Sequence, residues 1–262
     1  MNIAAIQLDI TWENRSANYD RVKRLLDQKK LPDNSLIVLP EMFDVGFSMN
    51  ISATNPGNPS QSELFCQTLA RDRNCTIVAG VVAQFENRKY SNEVVGYLAS
   101  GEKFLNYRKM RSFTPSNEHR HYEKGIDPVT VELNGWRIRP LICYDLRFPE
   151  LFRMGERRES DSSIADLYIV VANWPASRSL HWKRLLQARA IENQAYVLGV
   201  NRTGTDPFVE YAGESCLFDP FGNPIFVANA DEQIVDSNID LQVVQNWRQQ
   251  FPALRDANPK FR

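Results

Sequence analysis

A chain of 262 residues with 43% hydrophobic content can bury one substantial core, as one large α/β domain or two small ones; one domain over residues 1–262, with residues 241–262 as a C-terminal helix and tail, is the preferred reading. With 31 Lys and Arg against 32 Asp and Glu, the net charge of −1 creates no field favouring nucleic acid or an anionic membrane. No apolar run approaches the ~20 residues that cross a bilayer. The opening Met1-Asn2-Ile3-Ala4-Ala5-Ile6-Gln7-Leu8 lacks the basic region and longer apolar core of a secretory signal and reads as a first strand, so a soluble cytoplasmic protein is expected.

Residues 18–28 carry Val22, Leu25 and Leu26 at helical spacing among charges, a surface helix after that strand. Pro32-Asp33-Asn34 then turns the chain into Leu36-Ile37-Val38-Leu39, a short strand ended by Pro40 and followed at once by Glu41. Strand, helix, strand is the opening unit of an α/β fold. Residues 48–62, rich in Asn, Pro and Ser, read as a loop near the mouth of whatever Glu41 lines. Phe43, Phe47 and Met49 supply its apolar side, as core packing or as pocket lining. A helix is expected over residues 63–71 and a buried strand over 76–83. Residues 91–98 and 103–107 form a hairpin about Ser100-Gly101-Glu102, and Lys109 leaves its second arm.

The polar stretch 111–124 holds Glu118, His119, His121 and Glu123. The two histidines read as exposed loop residues, and a Cys-His pair is the disfavoured alternative because Glu41 already supplies a base. Residues 129–133 and 136–142 are joined by Asn134-Gly135, the strongest short hairpin signal in the chain, and the second arm delivers Cys143. Residues 150–155 look like the first turns of a helix whose N-terminal amides would favour anionic character near the thiol. The apolar strand 167–172 ends in Asn173-Trp174-Pro175-Ala176-Ser177-Arg178. A helix over 182–194, with Arg189 and Glu192 as a structural ion pair, and a strand over 196–200 repeat the strand-helix-strand unit. Short strands about Pro220-Phe221-Gly222-Asn223, a helix over 241–249 and a tail over 251–262 close the chain.

The four cysteines, Cys66, Cys75, Cys143 and Cys216, include no Cys-x-x-Cys pair and have no close His partner, so no metal site and no disulfide is expected. Cys66, Cys75 and Cys216 read as packing residues. Beside Leu141 and Ile142, Cys143 could be the same, since a buried Cys behaves as a small hydrophobe. Two other strand ends tip the balance. Glu41, Lys109 and Cys143 together form a coherent chemical set: a base for the thiol proton, a cation for a developing oxyanion, and a nucleophile.

The words Leu39-Pro40-Glu41-Met42-Phe43, Tyr107-Arg108-Lys109 and Ile142-Cys143-Tyr144-Asp145-Leu146-Arg147-Phe148-Pro149-Glu150 resemble the nitrilase, or carbon-nitrogen hydrolase, superfamily, in that family's order Glu, Lys, Cys. Ala172-Asn173-Trp174-Pro175, residues 188–194, Gly213-Glu214-Ser215 and Asp219-Pro220-Phe221-Gly222 extend the resemblance over nearly the whole chain. With Gly46-Phe47-Ser48, it is most similar to the omega-amidases.

The resemblance implies an α/β fold arranged as a four-layer α-β-β-α sandwich. It implies a second glutamate between lysine and cysteine, best matched by Glu118 with Glu123 as competitor, and a homodimer or larger with residues 150–158 and the tail as contacts. It further implies that a small 2-oxo acid amide, 2-oxoglutaramate or the 2-oxo acid amide of methionine, reacts with water without a cofactor. In that scheme Cys143 forms a thioester and Lys109 and the Tyr144 N–H hold the oxyanion. Arg147 or Arg178 takes the substrate carboxylate, and Trp174 and Phe43 cover its methylene chain. A nitrile or N-carbamoyl substrate, acyl transfer to an amine, or a non-catalytic binding protein on the same fold are the alternatives.

Overall fold

In a computed structural model, which describes residues 1–85, 89–154 and 164–256, the chain runs β1 (Asn2–Gln7), α1 (Arg15–Gln28), β2 (Leu36–Leu39), α2 (Ile51–Thr54), α3 (Gln61–Asp72), β3 (Thr76–Phe85), β4 (Lys89–Tyr97) and β5 (Lys103–Arg108). It continues as β6 (Val131–Leu133), β7 (Trp136–Ile142), α4 (Glu150–Arg153), β8 (Leu167–Ala172), α5 (Ser179–Asn193) and β9 (Tyr196–Asn201). It ends as β10 (Thr203–Thr205), β11 (Glu210–Ala212), β12 (Cys216–Phe218), β13 (Pro224–Val227), β14 (Gln233–Asn238) and α6 (Leu241–Gln250). Residues 155–158 of the expected contact helix and 257–262 of the tail lie outside the described residues.

The strands form two six-stranded sheets, in the orders β14-β1-β2-β3-β4-β5 and β13-β12-β9-β8-β7-β6. Each has a parallel centre, β1-β2-β3 in one and β7-β8-β9 in the other, flanked by antiparallel strands. Period-two alternation sorts the first sheet's side chains. Ile3, Ala5, Leu36, Val38 and Val78 face the second sheet, whereas Ala4, Ile6, Ile37, Leu39, Ile77 and Ala79 face α1 and α3. On its outer side the second sheet carries α5, through Trp182, Leu186 and Ala190. The result is the four-layer α-β-β-α sandwich.

Helix α1 starts three residues earlier than its apolar spacing indicates, because the Asn14 side chain accepts the Ala17 N–H at 3.2 Å and caps the first turn. It then buries Val22, Leu25 and Leu26 on the first sheet, worth ~1.5–3 kcal/mol each. The Asn134-Gly135 hairpin forms as expected, with φ of 51° and 80°. Two features differ from expectation. A single helical turn, α2, interrupts the loop 48–62, and the small β10-β11 hairpin occupies a stretch that carries little strand signal.

Candidate active site

Three strand ends converge, and each is fixed by its neighbours. After β2 the chain turns sharply through Pro40 and Glu41, with Met42 at φ 44°. Gly80 on β3 makes this possible, since a Cβ there would lie 2.5 Å from the Glu41 Cα and 2.8 Å from the Pro40 carbonyl. Lys109 follows β5 directly, and its N–H donates to the Asn92 carbonyl at 2.9 Å. Glu118 sits in a one-turn 3₁₀ segment of the 111–125 loop. That loop is closed by Gly125 N–H to Lys109 O and Glu123 N–H to Tyr90 O, both 2.7 Å.

The Lys109 ammonium donates to Glu41 Oε1 at 2.8 Å and to Glu118 Oε1 at 3.0 Å, with side chains 3%, 0% and 1% exposed. Burial alone would discharge the lysine. The Glu118 and Glu41 carboxylates outweigh it and hold the ammonium's proton more tightly than in an ordinary lysine. Glu123, the competitor for the second glutamate, is exposed and pairs with Lys89 at 3.2 Å. Glu118 is therefore the glutamate that meets Lys109.

Cys143 stands at the end of β7 with φ 43°, a left-handed backbone that L residues rarely adopt. A 3₁₀ turn, Cys143–Arg147, intervenes before α4, which begins seven residues past the cysteine, and the Tyr144 N–H has no acceptor inside that turn. Asn173, at the end of β8, links thiol and carboxylate across the two sheets. Its carbonyl lies 3.9 Å from Sγ, its N–H donates to Glu41 Oε2 at 2.8 Å, and its side-chain amide donates to the Glu41 carbonyl at 2.7 Å. Burial, then the Glu41 charge, push the thiol well above the ordinary cysteine range against the pull of Lys109, so the resting sulfur carries its proton. It needs a base to react.

Asp145 locks the Cys143–Arg147 turn to its surroundings, accepting the Tyr107 hydroxyl at 2.8 Å, the Ile142 N–H at 3.0 Å and the Arg111 N–H at 2.9 Å. Burial lifts its carboxyl to about 6. Arg189 forms the expected pair with Glu192 at 2.9 Å, and it also donates to Leu146 O in that turn at 2.9 Å.

Cys143, Tyr144, Asn173, Trp174, Arg147 and Arg178 open onto a cavity of about 460 Å³, whose far wall comes from Trp12, Met49 and the β10-β11 hairpin. Glu41, Lys109 and Glu118 sit behind that surface, with the Phe47 ring 5.0 Å over the ammonium. Arg147 stacks 4.9 Å over Trp174, and Arg178 lies 5.8 Å from the Phe113 ring centroid. Among the described residues neither arginine has a carboxylate partner. Phe43 is a correction. It is fully buried against Tyr19 and Phe65 on the helix side of the first sheet, because the Met42 turn reverses the chain, and Phe47 and Phe113 line the cavity instead. Among the described residues no cluster of His, Cys, Asp and Glu is placed to hold a metal ion.

Sequence reasoning missed Asn92 and Asp145 and gave Asn173 no role. The one signal for them is a polar residue beside or inside an apolar strand.

Residues 2–249 match the carbon-nitrogen hydrolase family over nearly their whole extent. The chain belongs to the carbon-nitrogen hydrolase family. This carbon-nitrogen hydrolase is 38% identical over 262 residues to "Omega-amidase YafV" of Escherichia coli K12, covering 98% of this chain and 97% of that one. It is 34% identical over 257 residues to the "2-oxoglutaramate amidase" of Bacillus subtilis 168, covering 97% and 96%. Its fold superposes with a TM-score of 0.90 and 33% identity on XC1258 of Xanthomonas campestris, a CN-hydrolase superfamily protein solved with an arsenic adduct in its active site, over 98% and 97% of the two chains. The sandwich described above is thus the fold of the nitrilase superfamily, and the protein is a hydrolase of carbon-nitrogen bonds.

Proposed function

We propose that this hydrolase is an omega-amidase: it cleaves the terminal amide of a small 2-oxo acid amide, 2-oxoglutaramate foremost, to the acid and ammonia through a thioester on Cys143. The observation that carries this reading is a cysteine open to a cavity, with the Asn173 carbonyl 3.9 Å from its sulfur, and with the same residue's N–H holding Glu41, which is ion-paired with Lys109 at 2.8 Å.

Cys143 attacks the amide carbon and gives its proton to Glu41. Lys109 has three N–H donors and spends two on Glu41 and Glu118, leaving the third, with the Tyr144 N–H, for the oxyanion. One such donor lowers the barrier by roughly 3–4 kcal/mol. The tetrahedral intermediate collapses with the proton passing from Glu41 to the departing nitrogen, so ammonia leaves and the acyl group stays on sulfur. Glu41 then takes a proton from water as the oxygen attacks the thioester, and returns it to the sulfur on release of the acid.

Arg178 suits the substrate carboxylate best. Both arginines line the cavity, but among the described residues the Arg178 guanidinium has only the distant Phe113 ring at 5.8 Å, whereas Arg147 is engaged with Trp174 at 4.9 Å and lies 3.3 Å from His181 Nδ1. Trp174, whose indole N–H donates to Arg178 O at 2.9 Å, covers the methylene chain. The names of the relatives and the 34–38% identity to them support the same reading. Self-association belongs to it too: Phe221, Trp247 and Phe251 stack at 4.8 and 5.3 Å beside the exposed Ile191, and the edge strand β13 exposes Ile225 and Val227. No described helix is long and apolar enough to cross a membrane. Four free cysteines fit the cytoplasm.

Ammonia release from 2-oxoglutaramate, the 2-oxo acid amide of methionine, glutamine and a simple nitrile, measured side by side, tests the proposal. 2-Oxoglutaramate should give the highest kcat/KM; a nitrile or glutamine turned over faster would overturn the substrate assignment.

A further inference from the structure

Asn92, in β4, is 1% exposed and does not line the cavity, yet it touches every member of the charged cluster. Its side-chain amide has two N–H donors. One goes to Glu41 Oε1 at 2.8 Å and the other to Glu118 Oε1 at 3.0 Å, the same two oxygens that accept from Lys109. Two carboxylates, one ammonium and one amide thus form a closed ring in which each oxygen meets two N–H groups. The backbone completes it, because the Asn92 carbonyl accepts the Lys109 N–H at 2.9 Å.

The amide's orientation is forced. Turned over, it would set its own oxygen against two carboxylates. As it stands, Asn92 Oδ1 is buried with no hydrogen-bond partner among the described residues. A residue chosen for packing alone would not carry that orphaned acceptor. The two oxygens of Glu41 face different neighbours. Oε1 accepts from Lys109 and Asn92. Oε2 accepts from Asn173, the residue whose carbonyl lies beside Sγ, through its N–H at 2.8 Å and its side-chain amide at 3.3 Å.

We propose that Asn92 is a positioning residue for this hydrolase: by donating to Glu41 Oε1 and Glu118 Oε1 together, it holds both carboxylates against the Lys109 ammonium and fixes the orientation in which Glu41 meets Asn173 beside the Cys143 sulfur. The inference rests on Glu41 serving as the base. Asn92 acts through Glu41, Glu118 and Lys109 and makes no contact with substrate, so its removal changes kcat and leaves KM in place.

Two substitutions separate donation from packing. Asn92→Leu keeps the approximate size and removes both donors without adding a charge; Asn92→Ala removes size and donors together. If Asn92 only fills space, Asn92→Leu keeps activity and Asn92→Ala loses it. If Asn92 donates, both lose kcat by about 30-fold or more, while KM moves less than about threefold. Alkylation of Cys143 by iodoacetamide, measured on the same folded samples, should slow in parallel with kcat.

Either folded variant retaining kcat within about threefold of the parent overturns the proposal. Should Asn92→Leu not fold, Asn92→Ser, close to alanine in size but with a hydroxyl donor, is compared with Asn92→Ala: a kcat raised severalfold over Asn92→Ala supports donation, and an equal kcat overturns it. Glu41→Gln, assayed beside them, keeps the two assignments apart. Activity lost in Glu41→Gln but kept in both Asn92 variants removes the role of Asn92 and leaves the base standing. Activity kept in Glu41→Gln removes the base and the inference with it.

Discussion

The two sheets contribute unlike halves of one site. The first sheet delivers Glu41 and Lys109 from strand ends, joined by Glu118 from the following loop. All three are sealed from solvent, with each carboxylate oxygen held by backbone, amide or ammonium N–H groups. The second sheet delivers Cys143 on a strained turn that is partly open to the cavity. Under the proposed mechanism the difference is one of task. A base and an oxyanion donor work best when their geometry is fixed and dry before substrate arrives, whereas a nucleophile has to be reached. Asn173, bonded to Glu41 and touching Sγ, is where the halves meet.

The sharpest way to break this division is to disable the closed half without disturbing the open one. Glu41→Gln keeps the shape and removes the proposed base, and kcat should fall by about 10³-fold or more, with alkylation of Cys143 by iodoacetamide slowed alongside it but still going to completion. A loss below about tenfold would move the base elsewhere. Lys109→Met tests whether the closed half is a structural unit. It leaves two buried carboxylates facing each other, and urea denaturation should show a loss of about 3–5 kcal/mol in addition to inactivity. A variant as stable as the parent would mean that the charges are not mutually dependent.

On the open half, effects should be smaller and fall on recognition. Arg178→Ala is expected to lower kcat/KM for 2-oxoglutaramate by about 10–100-fold, mainly through KM, and to change little for an uncharged amide. An equal loss on both substrates would make Arg178 structural. A pH-dependent effect concerns Asp145, which ties the Cys143–Arg147 turn to its surroundings. Its carboxyl is raised from 3.8 to about 6, so between those values the folded state binds the proton that the unfolded state has released. Stability from this group is therefore greatest below 3.8 and declines by about 3 kcal/mol as pH rises through about 6. In Asp145→Asn that decline should be absent when urea midpoints at about pH 4 and about pH 7 are compared with those of the parent.

Much of this arrangement is legible in the residues. Leu36 to Leu39 and Leu141-Ile142 announce strand ends by apolar runs that stop abruptly, and Glu41 and Cys143 stand where they stop. The hairpin that delivers Lys109 announces itself by turn residues. What stays hidden is set by long-range packing. Phe43 reads as pocket lining because one-dimensional proximity to Glu41 says nothing of the Met42 reversal that turns it into the core. Asn92 and Asp145 are buried polar residues whose side-chain partners lie 26 and 51 positions away and, apart from the Ile142 N–H, 34 and 38 positions away, and no local pattern distinguishes them from exposed ones. The β10-β11 hairpin is three residues on each arm, too short for alternation to register.

Every step of the mechanism depends on acyl transfer to one sulfur. Acid quenching of the enzyme within its first turnovers of 2-oxoglutaramate, followed by peptide mass spectrometry, should find the 2-oxoglutaryl group as a thioester on Cys143, absent when Cys143→Ala is treated identically. An acyl group on any other residue, or ammonia released by Cys143→Ala at the parent rate, would contradict it.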